Sequence, residues 1–188
     1  MKTLADQMAF YAAYHQDARN KATHFVGVPL IMLALLIPLS WPGLDLAGFR
    51  VTAAMLLAVA VLAYYFLLDV PLGLAMLAVL AVLIWLAERI AALGPGLGWA
   101  WFGVLFVGGW ILQLVGHAFE GRRPALADNL FQIFVAPIFL AAEVFFALGW
   151  KKNLKEKVLQ LSRAHNAVSS VSLTRTSSES GASGSRSR

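Results

Sequence analysis

Residues 51–87 read VTAAMLLAVAVLAYYFLLDVPLGLAMLAVLAVLIWLA, a stretch with Asp69 as its only charge and Pro71 as its only proline. As one helix at about 1.5 Å per residue it would be about 55 Å long, almost twice the ~30 Å hydrocarbon core of a bilayer. It must fold back, and Asp69-Val70-Pro71 is the place where it can turn. Working outward, apolar runs of similar length lie at Phe25–Trp41, Trp99–Val115 and Leu130–Trp150, beside Val51–Leu68 and Leu72–Ala87 from the central stretch. Trp41, Trp85, Trp99, Trp101 and Trp150 stand near run ends, as interfacial anchors do. The expected fold is all-α: an integral membrane helical bundle of four to five membrane segments behind an amphipathic N-terminal helix.

Composition agrees. The 188 residues are 60% hydrophobic and 13% charged, with a mean hydropathy of +0.71, where soluble domains run near 45–50% apolar and about 25% charged. A globular interior of this size cannot hide so much apolar surface. Residues 151–188 hold eight Lys and Arg against Glu156 and Glu179, a net +6 in a chain of +5, so residues 1–150 sum to −1. The basic pI of about 9.8 therefore belongs to the tail, which argues against a nucleic-acid partner, since that footprint is a basic face on the folded part. Lys and Arg after an apolar segment mark the cytoplasmic side instead. The division expected is an N-terminal segment over 1–24, a transmembrane domain over 25–150, a basic juxtamembrane segment over 151–167 and a disordered Ser/Arg-rich tail over 168–188. Met1 to His24 is polar and amphipathic and is not expected to act as a cleavable signal.

Two polar clusters flank the apolar runs, one from Tyr14 to His24 and one from Gln113 to Ala125. Gln113, His117 and Glu120 follow the i, i+4, i+7 spacing of one helical stripe. His15 and His24, nine residues apart, fall on opposite faces of a continuous helix, so they converge only if the chain breaks between them. Asp17 and Asn20 suit the N-cap of a helix starting at about Lys21, which would supply that break. Otherwise both His are headgroup-level residues of a helix lying on the membrane. Four crossings bring His117 back to the face where the chain began, the parity a shared site requires. A fifth full crossing would throw the basic tail to the opposite side. Pro137 and Glu143 within Leu130–Trp150 suggest instead that this run is re-entrant or broken.

With no cysteine in the chain, disulfides, iron–sulfur ligation and thiolate zinc sites are excluded. Imidazoles with one carboxylate suit Fe(II), Zn(II) or Mn(II), and two His with a carboxylate is the arrangement of non-haem Fe(II) oxygenases. Zinc held by three His is the close rival. Four His in all, with no HxxxH or HxxHH box, exclude the membrane di-iron desaturases. His165 stands at the edge of the polar tail and reads as a solvated bystander.

The residues Tyr14-His15, Asn20, His24 and Pro29 resemble the N-terminal motif YHxxxxNxxxHxxxxP of the 2-hydroxy fatty acid dioxygenase family. Gly116-His117, Phe119-Glu120 and Arg122-Arg123-Pro124-Ala125-Leu126 are similar to its GHxFExRRPAL-type run, and the likeness covers about residues 4–155. It implies an Fe(II)-dependent dioxygenase using O2, which shortens a 2-hydroxy fatty acid by one carbon in α-oxidation and serves sphingolipid breakdown in fungi. It further implies His15, His24 and His117 as metal ligands, with Glu120 as fourth ligand or orienter of an imidazole and, with Tyr14, as the catalytic pair. Arg122, Arg123, Gln113 and Asn20 are the substrate-binding residues it suggests, the arginines for the carboxylate. The partners implied are a long-chain 2-hydroxy fatty acid and the membrane, a bacterial inner membrane or the endoplasmic reticulum; the basic tail is what places the His clusters and tail on the cytoplasmic side. Two other classes stay open: a non-catalytic scaffold or lipid-binding protein with a structural zinc, and a transporter, for which repeats and mid-membrane polar groups are few.

Overall fold

Asp69 makes the turn that the long apolar stretch requires. Its extended backbone (φ −167°) ends α3 (Ala53–Leu68), and its carboxylate accepts from the Leu72 amide at 3.0 Å to cap α4 (Val70–Ala91). Pro71 then falls in the first turn, where a missing N–H costs nothing. This computed structural model describes residues 3–121 and 132–164. Its further elements are α1 (Leu4–Ala13), α2 (Ala18–Leu39), β1 (Gly43–Leu46), β2 (Phe49–Thr52), α5 (Pro95–Glu120) and α6 (Gln132–Ala147), with α7 over 152–164.

The protein is an all-α membrane bundle with one small hairpin. α2, α4 and α5, of 22, 22 and 26 residues, are long and apolar enough to cross a bilayer. α3 and α6 are shorter at 16 residues each. Leu67 (79% exposed), Val59 and Val104 (66% each) belong to a broad apolar outer surface; in water such a surface would be anomalous, and in a bilayer it meets acyl chains.

α2 and α5 pack antiparallel along a glycine seam. A Cβ on Gly27 would stand 3.0 Å from the Gly109 carbonyl oxygen, one on Gly98 2.6 Å from Trp41, and one on Gly116 2.5 Å from Asn20 Oδ1. Small residues at these crossings let the two backbones approach, the usual device where lipid supplies no hydrophobic drive between helices. The seam brings the start of α2 beside the end of α5. The end of the bundle holding these two termini is called the His end below.

The hairpin was not expected. Leu44, Leu46, Phe49 and Val51 share one face of the β1–β2 ribbon, while Asp45 pairs with Arg50 on the other. Ala47 (φ 50°) and Gly48 (φ 84°) form its two-residue turn, whose paired positive φ values match the strands' twist. Val51 and Thr52, assigned above to an apolar run, thus belong to β2, and the Thr52 hydroxyl caps α3.

α6 returns to the His end. Its first residues, Gln132 and Ile133, border the same cavity as Met32 and Leu35, well down α2. Toward its other end, Glu143 pairs with Lys21 at 3.0 Å, and Lys151 beyond it pairs with Asp69 at 2.7 Å. Lys21 and Asp69 both stand at the His end, so α6 rises toward the face that α5 has just reached. Glu143 thereby has the partner that an ionisable group in such a run needs. The tail 168–188, His165, Arg122 and Arg123 lie outside the described residues.

Candidate metal centre

The site begins with a break in the chain. α1 opens on a capping box in which Thr3 and Asp6 exchange hydrogen bonds, and closes at Tyr14. Asp17 then caps α2 by accepting from the Arg19 amide at 2.8 Å, and the Arg19 guanidinium beside it holds the Asp17 carboxyl down at about 2. α2 therefore starts at Ala18, three residues before the expected Lys21, with Asn20 inside its first turn. His15 sits in the break and turns back onto His24.

His15 Nε2 and His24 Nε2 are 3.0 Å apart. His117, from the last turn of α5, completes a buried group of three whose candidate ligand atoms all lie within 4.8 Å of one another. Two of the three imidazoles have their second nitrogen engaged: His15 Nδ1 donates to the Tyr11 carbonyl and His24 Nδ1 to the Asn20 carbonyl, both at 2.8 Å, while His117 Nδ1 has no partner among the described residues. Those bonds assign the tautomer and leave a lone pair on each Nε2. Two facing lone pairs at 3.0 Å repel, and a cation between them removes the repulsion. Nitrogens each about 2.1 Å from one ion stand roughly 3.0–3.4 Å apart at ligand angles near 90–109°, so the pair fits a shared metal. Burial, then the neighbouring His24, pushes the His15 imidazole from 6.5 down to about 2, so it stays in the neutral form that binds metal.

Tyr11 backs this group, its ring stacked on His15 at 3.9 Å and packed against Phe139. Burial raises the Tyr11 hydroxyl's pKa and keeps it protonated. Below the imidazoles lies a cavity of about 100 Å³, bordered also by Gln113, Gln132, Met32 and Trp110. It is an apolar slot bordered at its head by the three imidazoles.

Residues 1–148 match the family model described as 2-hydroxy-palmitic acid dioxygenase Mpo1-like. The chain belongs to the Mpo1-like family. The 2-hydroxy-palmitic acid dioxygenase MPO1 of Saccharomyces cerevisiae is 37% identical over 158 residues, covering 81% of this chain and 85% of the relative. No solved structure matches this chain.

In this Mpo1-like chain the residues singled out from sequence divide clearly. His15, His24 and His117 come together, and Gln113 lines the cavity with its side chain buried. Glu120 stands outside the three-His group. Its carboxylate accepts from the Gln16 amide at 3.0 Å, the Asp17 amide at 2.8 Å and Asn20 Nδ2 at 3.1 Å, which ties down the break that carries His15. Asn20 is wholly buried in that clamp and also donates to the Tyr14 carbonyl at 3.3 Å. Tyr14 packs its ring on Phe10 and does not border the cavity. Tyr11 and Gln132 were missed. Tyr11 precedes His15 by four residues, the spacing of one helical turn, and Gln132 is an uncharged polar residue in the same apolar run as Pro137 and Glu143.

Proposed function

We propose that this protein is an Fe(II)-dependent dioxygenase that shortens long-chain 2-hydroxy fatty acids by one carbon, with its site at the cytoplasmic face. The observation that carries the reading is the pair of His15 and His24 lone pairs fixed face to face at 3.0 Å above an apolar cavity in a membrane bundle. The substrate class follows from the name of the Saccharomyces cerevisiae relative. The cytoplasmic orientation rests on the basic α7 at the His end.

In this reading His15, His24 and His117 hold the iron. Iron(II) held there supplies the redox chemistry that O2 requires of an organic substrate. The chain's own groups do the rest. The Tyr11 and Asn20 carbonyls orient two imidazoles by accepting their Nδ1–H bonds, a device that fixes ring direction and raises ligand basicity. Glu120 holds the backbone of Gln16 and Asp17, and so the approach of His15. Val28, Met32 and Trp110 border the cavity with apolar surface that excludes water. Arg122 and Arg123 follow α5 directly in sequence and are proposed to take the substrate carboxylate.

The test is metal analysis of purified protein together with O2 consumption on 2-hydroxypalmitate. The reading expects iron at one per chain and uptake that depends on the substrate. Tightly bound zinc and no turnover after Fe(II) loading would replace it with a zinc-held scaffold or lipid-binding protein.

A further inference from the structure

Gln113 on α5 and Gln132 at the start of α6 are 7% and 5% exposed, and both border the cavity beneath the imidazoles. Each keeps one amide atom with no hydrogen-bond partner among the described residues, Nε2 on Gln113 and Oε1 on Gln132. Buried polar atoms are nearly always paired, because leaving one unpaired forfeits its hydration without return. His117 Nδ1, on the same cavity, is unpartnered as well and belongs to the three-His group; the two amide atoms, beside walls that include Val28, Met32, Leu35 and Trp110, call for a further polar group that enters between these walls.

Their chemistry says which group. An amide N–H offers a hydrogen bond and an amide oxygen accepts one, and an alcohol hydroxyl is the group that answers both. A carboxylate would set a second acceptor against Gln132 Oε1. A methylene would leave both amides unpaired.

We infer that Gln113 and Gln132 read the 2-hydroxyl of the fatty acid, and by it separate 2-hydroxy acids from unsubstituted acids of equal length. The inference rests on the function proposed above for the class of ligand. Sites built to bond a hydroxyl reject the analogue lacking it, because their own buried groups are then stranded.

The test uses the full chain with its metal, in nanodiscs under anaerobic conditions, with 2-hydroxypalmitate and palmitate competing against a fluorescent fatty acid. Gln113→Met and Gln132→Met keep length and shape while removing the polar atoms. The wild type should prefer 2-hydroxypalmitate at least tenfold. Each single variant should lose most of that preference and the double variant all of it, with palmitate binding retained. The thermal midpoint of ligand-free protein should hold or rise, since an unpaired buried amide has gone. A double variant that keeps the preference, in a protein whose wild type turns over 2-hydroxypalmitate, overturns this inference and leaves the proposed function standing. A fall in the midpoint of both single variants also overturns it, since the amides would then be structural. A wild type that neither prefers nor turns over 2-hydroxypalmitate overturns the proposed function and this inference with it.

Discussion

The Glu120 carboxylate accepts a hydrogen bond from the Asp17 backbone amide at 2.8 Å, joining the last residue of α5 to the N-cap of α2. The two are 103 positions apart in sequence. The same carboxylate takes the Gln16 amide and Asn20 Nδ2, so one side chain fixes the backbone that carries His15 and the residue whose carbonyl holds His24.

Replacing Glu120 by Ala strands two backbone amides and frees the break. Metal affinity should fall by about 10–100-fold, the usual cost of losing a group that orients a ligand, while Glu120→Gln, which keeps one acceptor oxygen, should lose less. Titration with metal at fixed pH measures both. Equal loss of all metal in the two variants would mark Glu120 as a direct ligand instead.

On the proposed function, His15→Ala, His24→Ala and His117→Ala should each remove the metal and the turnover, because three nitrogens leave none to spare. His165→Ala should leave both unchanged. Elemental analysis of the four purified variants decides the set.

The seam sets a steric test on one helix. Gly116→Ala places a methyl 2.5 Å from Asn20 Oδ1 and closer still to Thr23 Oγ1; overpacking of this kind costs about 1–3 kcal/mol. Its thermal midpoint should drop, and displacement of Asn20 should weaken metal binding as well. At Gly103 an added Cβ meets nothing within 4 Å, so Gly103→Ala should be neutral or gain up to about 1 kcal/mol from helix propensity.

The metal-free protein should lose stability in acid. His15 is held at about 2 against an ordinary 6.5, and unfolding restores the ordinary value. Below about 6.5 the unfolded chain therefore takes up a proton that the folded chain refuses, so stability falls as pH falls, until the folded imidazole itself titrates near 2. Melting at pH 7.5 and pH 5 should show a lower midpoint at pH 5. His15→Gln should reduce that dependence.

The absence of native cysteine makes single-cysteine labelling clean. Asp45→Cys on the hairpin and Lys155→Cys on α7 should react with a membrane-impermeant maleimide from opposite sides. Labelling from one side only would mean that α6 carries the chain across.

What the sequence disclosed was local. The length of residues 51–87 and the breaker at Asp69 dictated the helical turn, and the nine-residue spacing of His15 and His24 demanded the break that Asp17 supplies. What it withheld depends on packing between distant segments. Glu120 lies on the stripe with His117, and nothing nearby says that its carboxylate meets backbone amides more than 100 residues away. Gly27, Gly109 and Gly116 look like ordinary membrane-helix glycines until α2 and α5 are laid together. The β1–β2 hairpin escaped notice because four alternating apolar residues are too few to stand out among runs of twenty.

The cavity beneath the imidazoles has one more consequence. At about 100 Å³ it is well below the roughly 300–1,000 Å³ of pockets that enclose a drug-sized ligand, so it admits a head group and the first carbons of a chain. On the function proposed above, the remainder of a long acyl tail stays among the lipids. The bilayer then serves as the acyl compartment of the proposed enzyme, and the described walls of this cavity offer no ruler for chain length. Its preference among homologous acids would follow how each partitions into and diffuses within the membrane, and capture becomes a search in two dimensions.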